Sequence, residues 1–443
     1  MQEERTPPIG RTALASALVH ALSTTAAWTE TALVDTFTHV LQGAAPGSVA
    51  SLARLLAADA SVACGPERRL GQIIEDAPSF VRILQTVQRR RLVLAPPLTP
   101  PLFRPASRFA GLPLPCLATS GELAAWLGLT PTELDWFAAT LPQRGETQPP
   151  LQHYSLRAVA KASGRLRLIE APKTRLKAIQ RQILAGILAH VPAHPAAHGF
   201  IAGRSVLTAV NPHAGEGLVV AVDLADFFPS TPIGRVWRLF RHLGYPDAVA
   251  HLLTGLVTTR TPSPALDGLL LPPETRRRLR VRHLPQGAPT SPALANLAAY
   301  GLDVRLSSLA SRLDASYSRY ADDLVFSGSG PQLRQSQRFL RLVSEIAAAE
   351  GYALHPDKTR IMPSSGRQQV LGVTVNAHLN LPRPSYDLLK AILTNACRHG
   401  LASQNREGLP HFRDHLNGRI AWFEQVNPAR GLKLRALFDR IAE

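Results

Sequence analysis

Tyr320-Ala321-Asp322-Asp323 places two adjacent carboxylates between short runs that alternate apolar and polar residues. Residues 315 to 320 read as one strand and Leu324-Val325-Phe326 as a second, so the acids fall at the tip of a hairpin. Neighbouring acids repel each other and add nothing to a core, an arrangement that makes sense where a divalent cation neutralises them. Two oxygen-ligated cations a few Å apart are what phosphoryl transfer uses to stabilise its attacking and leaving oxygens. Asp also favours turns for conformational reasons alone, so the pair gains its meaning from the rest of the chain.

Val219-Val220-Ala221-Val222-Asp223-Leu224 supplies a third acid at the end of an apolar run of the sort that forms a buried strand. An acid there is costly unless it meets a cation or hydrogen-bond donors; the plainer reading is a cap on the following turn. Asp226 competes with Asp223 for the role, but beyond the strand it reads as a structural cap. Phe227-Phe228-Pro229-Ser230 sets a large aromatic beside the acids. One ring could lie under a nucleotide sugar and reject a 2′-hydroxyl by steric exclusion, while the other packs in the core. Leu284-Pro285-Gln286-Gly287-Ala288-Pro289-Thr290-Ser291-Pro292 joins a glycine that permits close backbone approach to stiffening prolines, and it enters a helix near Ser291. That geometry suits a surface supporting a nucleotide and a template base.

The elements that must position these groups come from a chain of 443 residues, 45% of them hydrophobic, enough for about two to four compact units with a substantial core. The formal net charge of +17 suits a partner with a dense phosphate backbone. Cys64, Cys116 and Cys397 lie far apart without metal-ligand spacing, which argues against a disulfide framework or zinc site and for a reducing cytoplasm. No run of about twenty apolar residues is present, so no membrane span is expected.

Residues 1–95 read as a helical extension, and 96–115 as a proline-rich linker or surface strap. Short helices are expected from Ser120 and from Thr130, the latter with Thr130 as N-cap and Pro131 at the first helical position. They could form a helix-turn-helix, but packing against the next domain is preferred because the second is short and acidic. A hairpin over residues 158–169 turns at Ser163-Gly164, and a helix runs from Lys173 through Leu188. The segment from 376 is helical. His190, His194 and His198 are evenly spaced, but Pro192 and Pro195 break any helix that would align them as metal ligands. Arg276-Arg277-Arg278-Leu279-Arg280-Val281-Arg282 reads as a solvated face or, beside a nucleotide-supporting loop, as a contact with a nucleic-acid backbone.

The order Asp223, Gln286 to Pro292, then Tyr320-Ala321-Asp322-Asp323 resembles reverse transcriptases, and more narrowly the bacterial retron type. Lys161 to Arg167 resembles the fingers hairpin. His198-Gly199-Phe200 with Gly203-Arg204-Ser205 resembles the segment before the first catalytic strand. Gly351-Tyr352 with Lys358-Thr359-Arg360, and Arg419-Ile420-Ala421-Trp422 with Val426-Asn427-Pro428, resemble the element after the hairpin and the thumb. Where retron enzymes carry Asn-Ala-x-x-His and Val-Thr-Gly, this chain has Ala209-Val210-Asn211-Pro212-His213 and Val370-Leu371-Gly372, keeping the histidine and the glycine.

The resemblance implies an α+β right-hand polymerase fold, with fingers and palm over 116–375 and a helical thumb over 376–443. It implies an RNA-directed DNA polymerase that copies a structured non-coding RNA into DNA from dNTPs. It also implies that Asp223, Asp322 and Asp323 hold two Mg²⁺ ions, with the Leu224 carbonyl as a further ligand. Phe228 would be the sugar gate, and Lys161 and Arg167 would reach the triphosphate, with Arg165 an equal alternative. Gln286 and Gly287 would support nucleotide and template, and Lys358 would stand behind the site. By analogy the enzyme would serve antiviral defence, with an effector protein as a further partner. Two other readings keep the fold: an RNA-binding maturase or chaperone that does not polymerise, and a defence polymerase that makes DNA without a template.

Overall fold

The computed structural model describes residues 9–441 apart from 24, 26, 44, 60, 61, 63–66, 95–100, 139–151, 161–165, 331, 332 and 334. The chain forms two compact units, Met1–Pro192 with Thr231–Leu294, and Ala193–Ser230 with Ala295–Glu443.

In the first unit, helices Arg11–Ser23, Glu30–Val40, Pro46–Ala57, Glu67–Asp76 and Pro78–Arg90 enclose a core of their own around Leu14, Leu18, Phe37, Leu52, Leu56 and Phe80. Phe80, Ile83 and Val87 recur at helical spacing, which is why one face of Pro78–Arg90 is buried. The proline-rich segment is a strap where it is described. Arg104 N–H donates to the Gly244 carbonyl (2.7 Å) and Ala106 N–H to that of His242 (2.9 Å). Gly244 has φ +106°, and a Cβ there would stand 2.5 Å from Pro105 N, so only glycine fits under the strap.

Helices Ser120–Leu127 and Pro131–Ala138 each begin with a threonine cap. Thr130 Oγ1 accepts the Glu133 N–H (3.2 Å) while Glu133 Oε2 accepts the Thr130 N–H (2.8 Å). Both helices pack on Asp247–Val257. Strand β1 (Tyr154–Ala160) pairs antiparallel with β2 (Leu166–Pro172), and helix Thr174–Gly186 follows, with Lys173 at its N-cap. The turn between β1 and β2, with Lys161 and Arg165, lies outside the described residues.

The second unit holds a four-stranded antiparallel sheet in the order β4-β5-β3-β6, from β3 (Leu218–Asp223), β4 (Ser316–Tyr320), β5 (Asp323–Gly328) and β6 (Arg360–Pro363). Every residue of β3 is buried. Its apolar run is continuous because both faces of the sheet are covered. Val219, Ala221 and Val325 share a core with Leu389, Leu393, Leu416, Ile420, Phe423 and Leu434 of the C-terminal helices. On β5, the Phe326 ring meets Tyr317 (4.9 Å) and Phe339 of helix Ser336–Ala349 (5.0 Å). The Val370-Leu371-Gly372 stretch is a tight turn between β7 (Gln369–Val370) and β8 (Val373–Thr374). Leu371 (φ +49°) and Gly372 (φ +84°) are both left-handed, the twist that two-residue hairpins favour.

His213 lies under this sheet, fully buried, with Nδ1 2.7 Å from Ser327 Oγ on β5 and Nε2 2.7 Å from Ser318 Oγ on β4. One imidazole thus ties the two strands of the acidic hairpin. Burial, with the nearby His198, pushes its pKa down to about 4. A histidine that is harder to protonate when folded stabilises the protein above its unfolded pKa, and that contribution is lost as pH falls from 6.5 toward 4. Urea unfolding of the wild type should therefore lose up to about 3 kcal/mol over that interval through this group. His213→Gln should show a visibly shallower pH dependence; an unchanged slope would contradict the assignment.

Candidate active site

Strand register brings the acids together. Asp223 at the end of β3 pairs directly with Asp323 at the start of β5, so the two side chains share a face with Cβ atoms about 5 Å apart. Tyr320 pairs with Asp323, which leaves Ala321-Asp322 as the two-residue tip. Ala321 takes a left-handed φ of +56°, rare for a residue with a Cβ. The Leu224 N–H donates to the Asp322 carbonyl (2.9 Å), fastening the tip to the end of β3. All three predicted acids therefore stand at one end of one sheet.

Beyond Asp223 the chain stays attached. Ala225 N–H donates to Ala353 O (2.8 Å) and His355 N–H to Asp223 O (2.7 Å). This delivers the turn Pro356–Lys358 to the site, and Lys358 Nζ bonds Asp223 Oδ2 at 2.7 Å. Burial and the charges of Asp322 and Asp223 push the Asp323 carboxyl up to about 6, against the opposing pull of Lys358 and Arg360.

Among the described residues no three acidic, histidine or cysteine side chains are already drawn round one point. The donor set fits a hard divalent cation: three carboxylates at one sheet end, oxygen ligands only.

Asp226 (φ +51°) takes the left-handed turn out of the strand, and its carbonyl accepts the Ser230 N–H (2.8 Å) at the start of Phe227–Ser230. Phe227 is the buried ring, against Tyr352 (5.9 Å) and under the Arg319 guanidinium (5.6 Å), while Phe228 is half-exposed. Arg167, exposed on β2, and the Gln286-Gly287 loop belong to the first unit. That loop is clipped to β2, for Glu170 N–H donates to Gln286 O (2.8 Å), and Gly287 (φ +132°) leaves only 3.1 Å between an imagined Cβ and Glu170 O. Glu170 is itself buried, between Thr261 Oγ1 and His283 Nε2 at 2.7 Å each. Lys161 lies outside the described residues. Of the five arginines in the basic run, Arg276 donates to Leu269 O and pairs with Asp267, Arg277 and Arg278 pair with Glu274, and Arg282 bonds Thr258 Oγ1, so four have partners within the protein. The evenly spaced histidines serve separately: His194 meets the Tyr300 ring and His198 Nδ1 meets Thr208 Oγ1.

Similarity to known proteins agrees with this geometry. The family described as "Reverse transcriptase (RNA-dependent DNA polymerase)" matches residues 159–375. The chain is 39% identical over 322 residues to the Retron Mx65 reverse transcriptase of Myxococcus xanthus, covering 72% of this chain and 71% of that one. It is also 39% identical over 343 residues to the Retron Mx162 reverse transcriptase of the same organism, covering 74% and 67%. The chain belongs to the retron-type reverse transcriptases. It is therefore an RNA-directed DNA polymerase with the α+β fold of that family. Among solved structures, a foamy viral protease-reverse transcriptase in complex with double-stranded DNA is 15% identical, covers 67% of this chain and 44% of that one, and has a TM-score of 0.32, too slight a likeness to argue from.

Residues the motif left out hold the reverse transcriptase's acidic hairpin in place. Arg319, immediately before Tyr320, is fully buried, and its guanidinium forks onto Asp303 (Nε to Oδ1 2.8 Å, a terminal nitrogen to Oδ2 2.7 Å). Its other terminal nitrogen donates to Asn296 Oδ1 (2.8 Å) and to the carbonyl of left-handed Ala321 (3.1 Å). Asn296 in turn donates to Gly199 O (2.8 Å), and a Cβ on Gly199 would stand 2.8 Å from Ala321 N. The sequence signal was Asp303, a carboxylate on the helix face of Leu302, Leu306 and Ala310, where burial demands a partner.

Two variants test these electrostatics. Asp303→Ala strands a buried guanidinium and should cost about 3–5 kcal/mol in chemical denaturation, with the Asp303→Ala/Arg319→Met double variant recovering part. Asp323→Asn should do the opposite at pH 8 without divalent ions. A carboxyl whose folded pKa is raised from 3.8 to about 6 is a liability that grows as pH rises through that window. Its removal should stabilise the folded state by about 1–3 kcal/mol.

Proposed function

We propose that this reverse transcriptase copies a structured non-coding RNA into DNA by two-metal nucleotidyl transfer, and the observation that supports it most is the cross-strand pairing of Asp223 with Asp323, with Asp322 at the adjoining tip. Asp223, Asp322, Asp323 and the Leu224 carbonyl are the ligands proposed for two Mg²⁺ ions. Bound there, the ions would activate the primer hydroxyl and offset charge on the attacked phosphate.

The rest of the site orients. Phe228, half-exposed beside Asp223, is suited to lie under the incoming sugar and exclude a ribonucleotide's 2′-hydroxyl. Lys161 and Arg167 of the fingers hairpin are the proposed grips on the triphosphate, where fixed cations stabilise a transferring phosphoryl group. Gln286 and Gly287 are the proposed support for nucleotide and template base. Lys358, bonded to Asp223, would release it when cations bind and remain as a positive charge behind the site.

The proposed organisation is an N-terminal extension over 1–95, a linker over 96–115, fingers and palm over 116–375, and a thumb over 376–443. The partners are the RNA template and primer, the DNA product, dNTPs and an effector protein, in a cytoplasmic defence role against viruses. The excess of 17 positive charges favours the RNA. No helix among the described residues is long and apolar enough to cross a membrane.

Purified protein given primed RNA, dNTPs and Mg²⁺ should extend the primer, and Asp322→Asn should lower the rate by about a thousandfold or more while leaving the fold intact. Retention of wild-type extension by Asp322→Asn would remove the mechanism. Sequencing the DNA made in cells separates templated from untemplated synthesis, and colinearity with one RNA is the expected result.

A further inference from the structure

Phe200 is the most anomalous residue near the acids. Its backbone is left-handed at φ +63°, a conformation that a bulky side chain adopts rarely, and its side chain is 53% exposed. A ring that leaves so much surface in water contributes little to the core, and backbone outliers of this kind persist where the surroundings over-determine them. Here the surroundings are the catalytic turn. Gly199 is pressed against the Ala321 N–H, and its carbonyl is held by Asn296, the residue that also accepts from Arg319.

The clamp presents the ring in a particular company. Phe200 lies 6.3 Å from Phe228 and 6.3 Å from Tyr320, centroid to centroid, at 45° and 44°. The three rings form a row from the residue proposed as the sugar gate to the residue that opens the acidic turn. No side chain in the row carries a charge, and about half of the Phe200 surface is open to water. A flat apolar face at that place complements the one flat ligand a polymerase must hold against its acids.

We infer that Phe200, backed by Phe228 and Tyr320, is a stacking shelf for a nucleoside face at the point of synthesis, rather than a core residue. The inference rests on the proposed reading of the site. With Phe228 under the incoming sugar, the next ring in the row meets the adjoining nucleotide of the growing strand, the primer's terminal nucleoside. Aromatic stacking on one base is worth about ten- to a hundredfold in affinity.

The test compares the full-length wild type with Phe200→Ala, Phe200→Leu, Phe200→Trp and Phe200→Gly. Labelled primed RNA gives the dissociation constant, and steady-state extension gives KM and kcat for dNTP. Phe200→Ala and Phe200→Leu should weaken primer–template binding at least about fivefold, keep kcat at saturation within about twofold, and be rescued by Phe200→Trp. The same loss in dNTP KM instead would assign the shelf to the incoming nucleotide. Phe200→Gly, which suits the left-handed backbone, should melt no lower than the wild type yet bind as poorly as Phe200→Ala. Wild-type dissociation constant and KM in Phe200→Ala and Phe200→Leu would overturn the shelf, as would full rescue by leucine or a loss confined to kcat. Because the wild type extends primers in the same assay, those results would leave the polymerase reading standing.

Discussion

Repulsion between carboxylates sets the terms for the second unit. Asp223 and Asp323 face each other across paired strands with Asp322 adjoining, and burial together with these charges pushes the Asp323 carboxyl up to about 6. Nothing local would choose to gather these charges. They are held because β3 is buried on both faces and cannot slip by one residue without turning its whole apolar set the wrong way. Hydrophobic burial along the strand thus offsets an electrostatic cost concentrated at its end.

Two buried polar devices stiffen the hairpin against that repulsion. Beneath it, His213 joins Ser318 on one strand to Ser327 on the other. Beside the tip, the Arg319 guanidinium reaches Asp303, Asn296 and the strained Ala321 carbonyl, so one side chain fixes the turn to a helix and to Gly199. Removing either partner of such a buried pair is far worse than never having had it, because the remaining charge is left without water or counter-ion. Lys358 adds a half-exposed cation bonded to Asp223. The hairpin is thus bonded from behind through buried polar groups and at its open end through one lysine.

Much of the site was legible because its signals are local. An apolar run ending in Asp223, alternation on either side of residues 320–323, and the Thr130 cap are written in a few consecutive residues each. The helix from Lys173 was also legible, though it ends at Gly186 and a short 3₁₀ turn takes over to His190. What escaped depends on partners distant in sequence. Asp303 signals that it needs a partner, but only the meeting of a strand and a helix shows that the partner is Arg319, and no periodicity reports that Phe200 has a positive φ. The basic run at 276–282 likewise hides its partners from composition, for Asp267, Glu274 and Thr258 take four of its five arginines.

The central claim is that the three carboxylates share cations. A crystal of the full chain grown with primed RNA and Mn²⁺, with data collected at the manganese edge, tests it most directly. The account predicts anomalous density among Asp223, Asp322 and Asp323, with the Lys358 ammonium withdrawn from Asp223. Density elsewhere, or an Asp223 still bonded to Lys358 and turned from the hairpin, would contradict it.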